Sequence, residues 1–66
     1  MSKLKNTNGN DFNPKYNYVV VVQRAEGTIN ICPSVSYDNA EKNIQDRIRR
    51  NEYVVHNMIG YKIVEL

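Results

Sequence analysis

The sequence predicts a small α+β domain: an antiparallel sheet with one helix packed on one of its faces. Three observations carry that reading. Two runs of β-branched and aromatic residues, "YNYVVVVQ" and "TINIC", stand on either side of the turn-forming "RAEG". Tyr37, Ala40, Ile44 and Ile48 then recur at three- and four-residue spacing. Finally the chain returns to strand composition in "EYVVH" and "YKIVEL".

The first strand is expected over residues 16 to 23. In the turn, Ala25 and Glu26 suit a type I geometry and Gly27 the left-handed position of a bulge. That three-residue loop sets Gln23 opposite Ile29 and Val21 opposite Ile31. Val19, Val21, Ile29 and Ile31 then share one face, and Tyr18, Val20 and Val22 lie on the other beside Asn30 and Cys32. A two-residue Glu26–Gly27 turn would exchange the two sets, because a slip of one residue inverts a strand. Pro33 ends the second strand or places it at an edge.

The helix is read from "SYDNAEKNIQDRIRRN". Asp38 followed by Glu41 resembles a capping box, with Ser36 as the competing cap. Asp38–Lys42 and Asp46–Arg50 are acid-to-base pairs in the favourable order. Arg47, Arg49 and Arg50 collect where the helix dipole favours cations, and Asn51 suits a left-handed stop. After it, the order is β-β-α-β-β, or β-β-α-β with a long bent last strand. Met58 and Ile59 are poor hairpin residues, and Gly60 suits a bulge.

Residues 1–14 read as a polar, disordered N-terminal arm and 15–66 as the single domain. The alternative is an arm that docks through Phe12. One thin helix covers one sheet face, yet the first strand carries valines on both. The spare face, with Tyr18, Val20 and Val22 and joined by Met58 and Ile59, is therefore expected to meet a partner: a second copy in a homodimer, or a protein target. The competing expectation is that the arm folds back through Phe12 or Leu4 and covers it. Edge-strand association, through the second or the last strand, is a further route.

Composition narrows the functional classes. The lone Cys32 cannot form an intramolecular disulfide, and with the lone His56 it cannot supply the usual zinc cage. A single cysteine without a signal-type segment points to the cytoplasm. The longest apolar run, Val19 to Val22, is far too short to span a bilayer. Catalytic motifs and a phosphate cradle are missing, so no enzyme activity, cofactor, metal or small-molecule substrate is expected. The rival class is a binder of single-stranded nucleic acid. Tyr16, Tyr18, Tyr53 and Tyr61 would stack on bases, and Lys15, Arg47, Arg49, Arg50 and Lys62 would contact phosphates, with Lys3 and Lys5 as a basic arm. The net charge of +2 is small for that role.

The segment "SYDNAEKNIQDRIRRNEYVV", with its Ser36-x-x-x-Ala40 helix start after a strand pair, resembles short accessory proteins of bacteriophages. The resemblance covers residues 18 to 64. It implies a non-enzymatic factor in the cytoplasm of an infected bacterial cell, one that binds and modulates a host protein or binds a nucleic acid. It carries no functional residue with it.

Overall fold

The computed structural model describes residues 4–6 and 8–66. The elements are β1 (Tyr18–Arg24), β2 (Gly27–Ser34), α1 (Tyr37–Arg50), a single 3-10 turn (Tyr53–Val55) and β3 (Met58–Glu65). The three strands form one sheet in the order β2-β1-β3, antiparallel throughout, with the helix against one face. This is the small α+β arrangement expected, in its β-β-α-β form. β2 and β3 both run opposite to β1 and so run parallel to each other. The helix and the 3-10 turn are the crossover between them, above β1.

"EYVVH" is not a strand. Tyr53–Val55 pairs with none of the three strands. It curls instead: His56 N–H bonds back to the Tyr53 carbonyl at 3.1 Å, and Val55 packs on the core. The bulge expected near Gly60 is present one residue earlier. Gln23 pairs with Gly60 and Arg24 with Met58, which leaves Ile59 as the extra residue.

The hairpin register differs from the expected one and inverts the two faces. Arg24 pairs with Gly27, Val22 with Ile29 and Val20 with Ile31, so the loop is the two residues Ala25 and Glu26. Val20 and Val22 therefore lie under the helix. They join Cys32, Ala40 and Ile44 in the core, with Tyr18, Ile29, Ile31, Ile48, Met58, Tyr61 and Ile63 packed around them. The interface read from Tyr18, Val20, Val22 and Met58 is corrected accordingly. The two valines are fully buried, Tyr18 and Met58 are half-buried on the same core, and of that set Ile59 alone is exposed.

Val19 and Val21 occupy the opposite face, and they too are buried. Among the described residues no helix lies there. The arm does: the Asn30 side chain, across from Val21, donates to the Lys5 carbonyl at 2.8 Å. In the arm, where disorder was expected, Lys5 and Asp11 are joined by a backbone bridge and an ion pair. Between them the Asn6 side-chain oxygen accepts from the backbone N–H groups of Asn8 and Asn10. Leu4 and Phe12 are half-buried. The arm therefore reaches the second sheet face at Asn30, and its two apolar residues are partly withdrawn from water. Lys3 lies outside the described residues.

The helix starts at Ser36, whose hydroxyl accepts from Asn39 N–H at 3.2 Å, so the competing cap holds and Asp38 sits in the first turn. It stops at Asn51 in the left-handed conformation, φ 55 and ψ 45, as read. Asp46–Arg50 forms at 2.9 Å.

Candidate functional site

The residues proposed to grip nucleic acid do not share a surface. Tyr18 and Tyr61 turn toward the helix rather than onto an open sheet. Tyr18 meets the Tyr37 ring edge-on, with centroids 6.1 Å apart. The Tyr61 hydroxyl accepts from Gln45 at 2.6 Å and donates to Glu41 at 3.0 Å. Desolvation and the hydrogen bond to Glu41 together raise its pKa. Tyr53 is exposed on the 3-10 turn, and Tyr16, expected in the first strand, lies just before β1 with the Lys15 ammonium 5.1 Å above its ring. The helix-end arginines are engaged by acids: Arg49 and Arg50 by Asp46, Arg47 and Arg50 by Glu52. Lys62 is exposed on β3. Among the described residues the tyrosines therefore make no open stacking platform on the sheet, because Tyr18 and Tyr61 are engaged by the helix.

Cys32 is the one chemically distinctive side chain that the structure buries. β2 carries an extra residue here, since β1 advances from Tyr18 to Val20 while β2 runs from Ser34 to Ile31. Cys32 absorbs the bulge with φ 58, a conformation that L residues other than Asn and Asp seldom adopt. The bulge turns its thiol beneath the helix, next to Ile31, where plain alternation would have sent it to the other face. Arg47 Nε donates to Sγ at 3.0 Å, and Arg47 pairs with Glu52 at 2.7 Å. Burial pushes the thiol's pKa up by more than the guanidinium pulls it down. A thiol held neutral is a poor nucleophile, so Cys32–Arg47–Glu52 reads as a clasp between β2 and the end of the helix. His56 is occupied elsewhere, with Nε2 2.8 Å from the Asn51 carbonyl. Among the described residues no three His, Cys, Asp or Glu side chains gather in a metal-binding group, and no helix is long and apolar enough to cross a membrane.

A shallow groove of about 330 Å³ lies between the end of β2 and the first turns of α1, lined by Tyr16, Ser34, Val35, Lys42 and Asn43. Its Ser34 hydroxyl already accepts from Asn43 and donates to the Cys32 carbonyl.

Among the described residues, the outer edge of β3 has no such internal partner. The helix packs mainly on β1 and β2 and less on β3. No residue of β3 is fully buried, although Met58, Ile59, Ile63 and Val64 are apolar. Leu66 N–H donates to the Asn17 carbonyl at 2.8 Å, toward β1. Backbone polar groups alternate sides along a strand, so the N–H and C=O groups of Tyr61, Ile63 and Glu65 point away from β1 to the free edge. Ile59 is 74% exposed at one end of this edge, and Leu66 is 41% exposed at the other. The opposite edge, β2, is blunted by Pro33 and by the bulge at Cys32. Exposed Ile59 and the free edge were both anticipated from sequence. The outward set Tyr61, Ile63 and Glu65 was not, because the side to which a peptide group points depends on pairing.

The class so defined is a three-stranded antiparallel α+β domain with one open strand edge. No family model, curated protein or solved structure compared with this chain matches it.

Proposed function

We propose that this chain is a non-enzymatic binding module that takes up a strand from a protein partner along the edge of β3. One observation carries the reading: beyond its bulge the edge of β3 runs regularly from Gly60 to Glu65, with the peptide groups of Tyr61, Ile63 and Glu65 turned outward and apolar side chains on both sides. Main-chain hydrogen bonds along such an edge supply affinity, and the flanking side chains supply selectivity. An accessory factor that modulates a larger protein needs no more chemistry than this.

The test is a titration of isotope-labelled protein with ten-residue peptides of alternating valine and threonine, read by amide chemical shift and exchange. Slowed exchange at Tyr61, Ile63 and Glu65 is expected. Glu65→Pro removes an outward N–H while leaving the bonds to β1 intact, and it should abolish the effect. Binding that persists in Glu65→Pro, or shifts that gather on the helix arginines, would sink the reading.

A further inference from the structure

We infer that the strand taken up by β3 is the β3 of a second copy of this chain, paired antiparallel about a two-fold axis at Ile63. The inference rests on the edge reading above and names its occupant. A strand that pairs antiparallel with its own copy makes an isologous contact by construction. The residues of β3 suit one register of that contact. With Ile63 opposite Ile63 of the second copy, Tyr61 faces Glu65, Lys62 faces Val64, and Gly60 faces Leu66.

The neighbouring registers are less favourable. The register shifted by one pairing step would set Lys62 directly against Lys62, a like-charge clash. That same shift would also run the pairing through the bulged Ile59, where the strand is irregular, and the shift the other way, centred on Val64, pairs residues 62 to 66 alone and shortens the contact. The Ile63 register uses the straight stretch from 60 to 66 alone. It also brings together the two exposed aliphatic side chains of the strand, which lie at opposite ends in one copy. Leu66 of each copy lands across from Gly60 and beside Ile59 of the other. A Cβ at Gly60 would meet nothing within 4 Å in the single chain, so there is open space for the incoming leucine. The product is a continuous six-stranded sheet with both helices on one face.

The paired stretch spans about 23 Å at ~3.3 Å per residue, and an edge contact of this kind falls short of the ~800 Å² per partner of a standard interface. The dimer is therefore expected to be concentration-dependent, monomeric near ~10 µM and associated toward ~1 mM. Light scattering across that range checks the assembly. Amide exchange at Tyr61, Ile63 and Glu65 should slow roughly tenfold or more from the dilute to the concentrated sample, while exchange at Gly60, Lys62 and Val64 stays slow in both. In mixed labelled and unlabelled protein, an intermolecular contact between the α-protons of Lys62 and Val64 is expected. Ile59→Lys with Leu66→Lys, both at exposed positions, should keep the monomer folded and abolish the association. A strict monomer at ~1 mM, or a dimer in which Tyr61, Ile63 and Glu65 still exchange fast, overturns self-pairing. The valine–threonine peptide then separates the two ideas, because its protection of the same amides needs the edge but not the second copy.

Discussion

The arm's hold on the second sheet face can be tested with one near-isosteric change, Val19→Thr. Val19 is fully buried although it points away from the helix, and the arm reaches that face at Asn30, so the arm is the expected cover. Threonine keeps the shape and the strand preference but brings a hydroxyl into an apolar site, and an unsatisfied buried hydroxyl costs about 1–3 kcal/mol. A 66-residue domain has ~3–10 kcal/mol in hand, so the variant should still fold. Its Tm should fall by at least about 4 °C, at ~4–8 °C per kcal/mol for a domain of this size. The same change in a chain that begins at Pro14 should be neutral within about 0.5 kcal/mol, because Val19 is then at the surface. Val22→Thr, under the helix, should destabilise both chains alike and so sets the scale. Thermal and urea melts of the four variants and their two parents give the comparison. If Val19→Thr is neutral in the full chain, or equally harmful in both, the arm is not what dries that face.

Other outcomes follow from the clasp and the helix end. Cys32 and Tyr61 both have raised pKa values in the fold, so the unfolded chain ionises first as pH climbs. Stability should be complete below the ordinary thiol pKa of about 8.5 and decline above it, and Cys32→Ala should remove the thiol's share; urea midpoints from neutral to alkaline pH read this, and a flat profile contradicts it. A double-mutant cycle on Arg47→Ala and Glu52→Ala should give a coupling of about 0.5–1 kcal/mol, modest because both side chains are about a third exposed or more. Asn51→Ala should cost about 1 kcal/mol by chemical denaturation while Asn51→Gly is tolerated, since φ there is 55.

Much of the architecture is legible in the residues because it depends on local rules. The stripe of Ala40, Ile44 and Ile48 specifies a helix and the face it buries, Asn51 stops it, and the β-branched runs around "RAEG" specify a hairpin. Ser36 and Asp38 were both competent caps, and only the path of the chain out of β2 chose Ser36. The 3-10 turn at Tyr53–Val55 reads as strand composition, and only the tertiary path of the chain, with Val55 packed on the core, made it a turn.

The two faces of β1 show most plainly where local information ends. Four valines in a row establish that both faces are apolar and that something must cover each. Which pair meets the helix depends on a one-residue choice in the turn, and sequence preference weighed Gly27 into the loop where pairing placed it in β2. What covers the remaining pair was open between the arm and a partner. The structure brings the arm to that face at Asn30 and leaves the outer edge of β3 as the unfilled place. Composition dictates how much apolar surface must leave water; which surfaces meet is decided by strand register and by the reach of a polar arm, and those are properties of the whole chain at once.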